Sequence, residues 1–262
     1  MTFTYQVPLA GSDDVQLVVD ERGEGRPFLL LHGGAGPASM ASFAGMLAER
    51  HVRVITPTHP GFALTKRPEQ LNSIKGLATL YAALLDQLDI GDVTVVGNSV
   101  GGWVAAELAV LNSPRVSTVV LVGATGIEVQ GHPITDISRL TLPEVMSLSY
   151  HNPKPFAVDP AGVTDAQRAI IGANRAALQV YAPQSTDPTL AERLSRVAVP
   201  VLVISGESDR IVDPEYGRAY AAAIPGARFV LLAGTGHLPQ IETPDLLLET
   251  IWNYENSRAT GN

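Results

Sequence analysis

The sequence predicts an α/β fold: a mostly parallel, doubly wound sheet with an antiparallel N-terminal hairpin and a helical insertion. Three observations predict it. Short, continuous apolar runs recur along the chain, as strands buried on both faces of a parallel sheet require. Helix-length amphipathic stretches separate these runs. One long segment, 126–186, carries no strand-like run at all.

The elements follow in order. Phe3–Val7 and Val15–Asp20 alternate apolar with polar residues, and Gly11-Ser12-Asp13-Asp14 between them is turn chemistry, so a hairpin is expected. Apolar runs then fall at Phe28–Leu31, Val52–Thr56, Val93–Val96, Val116–Val122, Val199–Ser205 and Arg228–Leu232. Ile74, Leu77, Tyr81, Leu84 and Leu88 share one helical face, which Leu80 and Leu85 widen. Gly101–Leu111, Pro214–Ile224 and Pro244–Tyr254 have helical length, the last two opening on a first-turn proline. Repeated strand–helix alternation implies helices on both sheet faces and right-handed crossovers.

Between 126 and 186 the pattern changes to amphipathic pieces, Ile137–Tyr150 and Thr164–Tyr181. The proline-containing stretches Gly131-His132-Pro133 and Asn152–Pro160, and Pro183, divide and bound them. A structureless loop of that length is unusual, so a helical insertion is expected. The domain reading is therefore 1–125 with 187–262 as an α/β core, and 126–186 as a helical cap. Asn256–Asn262 is small and polar and is expected to fray.

Composition narrows the function. The 262 residues carry 18 Lys+Arg against 26 Asp+Glu, a net charge of −8, with 45% apolar residues. That is ample material for a core and a poor match to a phosphate backbone, so nucleic acid is not an expected partner. With no cysteine, disulfides, thiol nucleophiles and cysteine-ligated metals are excluded. The N-terminus has no basic stretch leading into an apolar run, and no apolar run nears the roughly 20 residues that cross a bilayer. The expectation is a soluble, cytoplasmic protein with a small-molecule substrate and no membrane partner. The oligomeric state is left open.

Chemistry concentrates in three places. Gly97-Asn98-Ser99-Val100-Gly101-Gly102 follows the run Thr94-Val95-Val96 and opens a helix. A serine on such a turn has its hydroxyl pushed outward, and small residues two before and two after let the turn close. The helix behind it aims N–H groups at developing negative charge. Random order would produce G-x-S-x-G about 0.12 times in a chain of this composition, so the flanking strand and helix carry the weight. A serine hydroxyl also needs a base, and the base a carboxylate. Asp209, in Gly206-Glu207-Ser208-Asp209, and His237, in Gly234-Thr235-Gly236-His237, each follow a strand-like run. Both therefore belong to the carboxyl edge of the sheet, where open sheets place their sites.

These motifs resemble the α/β-hydrolase-fold family. The resemblance rests on His32-Gly33-Gly34 after a strand, the turn around Ser99, the G-x-x-D segment ending in Asp209, and Gly236-His237. They span nearly the whole chain in the family's order, and the insertion falls where the family commonly carries its cap. The resemblance implies Ser99 as nucleophile, His237 as general base and then acid, and Asp209 as the carboxylate that orients it. It also implies an oxyanion hole of backbone amides, from Val100 and from the loop His32–Gly36. Gly34 is the expected second donor, with Ala35 the alternative.

Other polar residues read as structural. His32 is expected to hydrogen-bond its own loop, and His59 to pack a loop rather than wall a pocket. Glu207 and Asp213 flank Asp209 off the motif position, and Glu242 is expected to cap or solvate the His237 loop. Asn98 could line a pocket, Trp103 should be core, and His132 and His151 surface. No ligand spacing suits a metal, Gly33-Gly34-Ala35-Gly36 is no phosphate cradle, and no cofactor is expected.

The function expected is a serine hydrolase cleaving a small, fairly apolar ester through an acyl-enzyme. The turn Gly97-Asn98-Ser99-x-Gly101-Gly102 also resembles that of carbon–carbon bond hydrolases of the meta-cleavage-product type, which generally need a cation for a substrate carboxylate. Arg139, Lys154, Arg168 and Arg175 are the candidates in the insertion, set against Glu128, Asp136, Glu144, Asp159 and Asp165. A cofactor-free lyase or perhydrolase is compatible with the same scaffold. Haloalkane dehalogenases and epoxide hydrolases are disfavoured, because they carry Asp where Ser99 stands. From another class, a non-catalytic ligand-binding protein could use the same fold.

Overall fold

The computed structural model describes residues 1–9, 13–159 and 162–259. Its eight strands are β1 (Thr2–Val7), β2 (Val15–Arg22), β3 (Arg26–Leu31), β4 (Val52–Pro57), β5 (Val93–Asn98), β6 (Val116–Val122), β7 (Val201–Gly206) and β8 (Arg228–Leu232). They form one sheet in the order β1-β2-β4-β3-β5-β6-β7-β8. β1 pairs antiparallel with β2, and β2 with β4; every later pairing is parallel. The hairpin is as expected, although Gly11 and Ser12 of its turn lie outside the described residues.

The helices are α1 (Ala41–Ala48), α2 (Ile74–Gln87), α3 (Val100–Val110), α4 (Leu142–Ser149), α5 (Asp165–Tyr181), α6 (Leu190–Leu194), α7 (Pro214–Ala222), α8 (Pro239–Glu242) and α9 (Pro244–Ala259). The pleat sorts the apolar runs into two cores. Leu29, Leu31, Val201 and Val203 point to the face covered by α2, α3 and α7. Phe28, Leu30, Leu202 and Ile204 point to the face covered by α1 and α9. Continuous apolarity in β3, β5 and β7 is thus what burial on both faces demands.

The expected strands and long helices are present; the short helices α6 and α8 have no expected counterpart, and α4, α1 and α9 also depart from the expectation. The piece Ile137–Tyr150 is helical only over α4, because Thr141 and Glu144 form a reciprocal capping box that starts the helix there. α1 has no counterpart in the expected elements: it is two turns long, and its buried Phe43, Ala44 and Leu47 are too few to set a period. α9 runs on to Ala259 instead of fraying from Asn256, since Glu255 is buried and pairs with Arg26. Residues 260–262 lie outside the described residues.

Between β6 and β7 the chain leaves the sheet, forms α4 and α5, and returns. A parallel bridge joins Gly126 to Thr186, and the Asp187 N–H donates to the Gly126 carbonyl at 2.7 Å. An ion-pair network holds this base to the core: Arg193 of α6 reaches buried Glu107 of α3 and also Asp187, which Lys75 meets at 2.9 Å. Burial disfavours the Asp187 charge, yet hydrogen bonds from Lys75 and Thr189 outweigh it and hold the carboxyl below its ordinary range. Among the described residues no helix is long and apolar enough to cross a membrane.

Breaking a buried pair strands a charge, whereas replacing both members with apolar groups does not. Arg193→Met, which leaves buried Glu107 without its cation while Lys75 still meets Asp187, is therefore expected to lower the unfolding free energy by about 3 kcal/mol, and Glu107→Met with Arg193→Met by clearly less. Urea denaturation of the two variants checks this; equal losses would mean the pair is not the source.

Candidate active site

The register of the parallel strands sets where the site can form. Leu31 pairs with Gly97, Asn98 with Val122, Val122 with Ile204, and Gly206 with Leu232. The loops after β3, β5, β6, β7 and β8 therefore leave one edge side by side. The sheet order reverses between β3 and β5, which opens a crevice at that edge.

Ser99 is the single residue between β5 and α3, with φ 57° and ψ −121°. Such a conformation in a non-glycine residue persists only where its surroundings impose it. Here the Ser99 N–H donates to the Val122 carbonyl at 2.9 Å, and its own carbonyl accepts from Trp103 and Thr125. A Cβ at Gly97 would overlap the Gly101 carbonyl, and a Cβ at Gly101 would overlap the carbonyls of Leu31 and His32. Helix α3 can thus begin directly against the ends of β3 and β5 only because both positions are glycine.

Asp209 and His237 meet beside it. Asp209 is 3% exposed; its Oδ1 accepts the Ile211 and Val212 N–H groups, both at 2.9 Å. Its Oδ2 lies 2.7 Å from His237 Nδ1. A carboxylate with one oxygen occupied by amides accepts from the imidazole through the other, which puts the ring proton on Nδ1 and leaves Nε2 an acceptor. The loop is fixed as well. The His237 N–H donates to the Ser149 carbonyl at 2.6 Å, and its carbonyl accepts from Asn98 Nδ2 at 3.0 Å. Gln240 Nε2 in turn donates to Asn98 Oδ1 at 3.1 Å. The residue before Ser99 therefore ties down the backbone of His237.

Ser99, His237, Gly34 and Val100 line one cavity of about 350 Å³, with Asp209 behind His237. Val100 is the first residue of α3, so its N–H has no intrahelical acceptor. Gly34 and Ala35 both reach the cavity, inside a turn closed by the Gly36 N–H on the Gly33 carbonyl at 3.0 Å. The opposite wall is aliphatic, from α4 and α5, and includes Leu142, Val145, Ile171 and Leu178. Of the four cations weighed in the insertion, only Arg175 lines the cavity, and Asp136 lines it too.

His32 and His59 are structural, as expected. Their ring centroids lie 3.9 Å apart, with the planes tilted by 37°. The His59 N–H donates to His32 Nε2 at 3.0 Å, so His32 carries its proton on Nδ1, which donates to the Gly33 carbonyl at 2.8 Å. His59 Nε2 donates to the His32 carbonyl at 2.8 Å, and its Nδ1 meets the Tyr81 hydroxyl. Burial pushes His32 down to about 4, and pushes His59 down as well.

The remaining residues sort similarly. Glu207 accepts the Gly234 N–H at 3.0 Å, and Asp213 caps α7 and faces His132. Glu242 accepts the N–H groups of Gly236, His151 and Asn152, tying the His237 loop to the insertion. Trp103 is core. No group of three metal-ligating side chains occurs among the described residues. Ser149, Gln240 and Asn174 also shape the site. Sequence reasoning did not find them, since none stands in a motif and each acts through a tertiary contact.

Residues 28–250 match the model of the alpha/beta hydrolase family. A 2-hydroxy-6-oxo-6-(2'-aminophenyl)hexa-2,4-dienoic acid hydrolase from Metapseudomonas resinovorans is 27% identical, over 91% of this chain and 87% of its own. A 2-hydroxymuconate semialdehyde hydrolase from Pseudomonas putida is 29% identical, over 89% of this chain and 88% of its own. Among solved structures, a thermophilic esterase from Thermogutta terrifontis has a TM-score of 0.77 at 22% identity, over 98% of both chains; this likeness is one of fold.

The neutral histidine pair makes stability depend on pH. The unfolded chain protonates His32 near 6.5 while the folded protein resists until about 4. The stabilisation is complete above 6.5 and is lost as pH falls. On going from pH 6.5 to 5, His32 alone should remove about 2 kcal/mol, and His59 acts in the same direction. A urea midpoint that does not move between pH 7 and 5 would contradict this. Gly101→Ala should fail to fold or lose several kcal/mol, because backbone carbonyls rather than flexible side chains occupy the space; a thermal midpoint near wild type would refute it.

Proposed function

The chain belongs to the alpha/beta hydrolase family and has its fold, and on that premise we propose that it is a serine hydrolase of small, fairly apolar esters. The observation that carries the reading is one cavity shared by Ser99, His237 and the Gly34 and Val100 backbones, with His237 Nδ1 held 2.7 Å from a buried carboxylate. Ser99 attacks the acyl carbonyl as His237 Nε2 takes its proton. The Val100 and Gly34 amides hold the oxyanion, and Asp209 keeps the imidazole in the tautomer that can accept. His237 then protonates the leaving alcohol, and water activated by the same nitrogen releases the acid. Segment 126–186 serves as the cap, its aliphatic wall selecting apolar acyl or alcohol groups.

A second reading is a carbon–carbon bond hydrolase of the meta-cleavage-product type. Arg175 favours it, as a cation lining the cavity and able to meet a substrate carboxylate, and so do the two relatives, a dienoic acid hydrolase and a semialdehyde hydrolase. The same triad serves both readings. They differ in what Arg175 contributes: for a neutral ester, Arg175→Gln should leave KM within about threefold, whereas for an anionic dienoate it should raise KM by tenfold or more.

Wild type should hydrolyse short- and medium-chain p-nitrophenyl esters, and Ser99→Ala should remain folded with that activity abolished. Asp209→Asn should lower kcat by roughly 10⁴, since it favours the wrong tautomer. Retained turnover in folded Ser99→Ala would overturn the reading. A folded wild type that ignores esters but cleaves vinylogous 1,5-diketone acids would select the second reading instead.

A further inference from the structure

We propose that Asn174, on α5 in the insertion, is a positioning residue that aims the Gly34 N–H into the site through two peptide groups in series; the proposal rests on the serine-hydrolase reading. Asn174 is 4% exposed although it lies on a helix with a largely exposed outer face. Its Oδ1 accepts the Ala63 N–H at 2.8 Å, and its Nδ2 donates to the Ala35 carbonyl at 3.2 Å. The amide can take only this orientation, because Ala63 offers a donor and Ala35 an acceptor. The fit is close: a Cβ on Gly36 would stand 2.5 Å from Nδ2.

The consequence runs through planar trans peptides, in which each N–H points opposite to its carbonyl. The Ala35 carbonyl held by Asn174 belongs to the peptide whose N–H is that of Gly36. That N–H donates to the Gly33 carbonyl at 3.0 Å. The Gly33 carbonyl belongs to the peptide whose N–H is that of Gly34. Each bond restrains the next plane and polarises it, and with the Gly33 carbonyl drawn into the turn the Gly34 N–H is directed out of it; Gly34 itself lines the cavity. His32 Nδ1 grips the same Gly33 carbonyl from the core. The turn is thus clamped twice, once by the sheet and once by the insertion. This distinguishes the two candidate donors: Gly34 lies at the end of the relay and Ala35 does not.

The remaining contacts of α5 seat it for this role. The Tyr181 hydroxyl donates to the Pro60 carbonyl at 2.9 Å, and Leu178 and Ala177 lie where a Cβ on Gly34 or Gly61 would be 3.2 Å away. The insertion therefore completes the oxyanion geometry as well as roofing the cavity. Its displacement would loosen an N–H that belongs to the core.

Asn174→Asp separates positioning from packing. It keeps the shape and the acceptor for Ala63, but removes the donor to Ala35 and sets a carboxylate against a carbonyl. For p-nitrophenyl butyrate, kcat should fall about tenfold with KM within about twofold, a smaller loss than deleting an oxyanion donor outright. Affinity for an aryl trifluoromethyl ketone, whose serine adduct carries the oxyanion, should fall by the same factor, which a merely structural role would not produce. The amide resonances of Gly34 and Gly36 should shift with the substitution. If Asn174→Asp does not fold, Asn174→Ala carries the same comparison. Unchanged kcat and ketone affinity in a folded variant would overturn the proposal. If wild type neither turns over esters nor binds the ketone, the serine-hydrolase reading fails. The glycine resonances then test the relay alone, and their constancy would overturn it too.

Discussion

The contact on which the site depends is the one between the first turn of α3 and the ends of β3 and β5. Gly97 and Gly101 bring backbone against backbone there, at distances no side chain allows. From that contact follow the left-handed φ of Ser99, the free N–H of Val100 over the sheet edge, and the placing of the loop after β3 beside them. The His32 carbonyl shows how tightly these are joined. It lies under the Cα of Gly101 and also accepts the ring N–H of His59, so the turn at Ser99, the loop after β3 and the loop after β4 share one anchor.

Around this anchor the polar groups are buried and, at the site, directed. Asp209 has one oxygen taken by two amides and the other by His237, an arrangement that fixes the tautomer before any substrate arrives. The histidine pair beneath the loop after β3 is held neutral by burial, with every ring nitrogen engaged; protonating His32 at Nε2 would displace the His59 N–H. Preorganisation of this kind is acquired during folding, so little reorganisation remains for the reaction itself.

The insertion contributes from the other side. Its aliphatic wall gives the cavity its apolar character, Arg175 and Asp136 its charges, and Asn174 its grip on the turn at Gly33–Gly36. Its base is fastened by Arg193, Glu107 and Asp187 rather than by apolar packing alone. One helix, α5, thus both lines the cavity and holds the Gly33–Gly36 turn.

What was legible in the sequence was whatever local chemistry dictates. Apolar runs specify strands buried on both faces, capping and first-turn prolines specify helix starts, and the glycines around Ser99 specify a turn that only they permit. Those signals yielded the strand order along the chain, the insertion, and the candidate residues Ser99, Asp209, His237, Gly34 and Val100. α1 and the true start of α4 were not legible from periodicity, because two helical turns hold too few apolar residues to define a face. Nor were Asn174, Gln240 and Ser149, nor the selection of Arg175 among four cations. Each acts on a residue far away in the chain, and only the crossovers, together with the seating of α5 on the loops after β3 and β4, bring them into reach. Local sequence determines which turns and strands can form; which side chains then meet across 60 or more residues is decided by packing, because no local pattern encodes the distance between two loops.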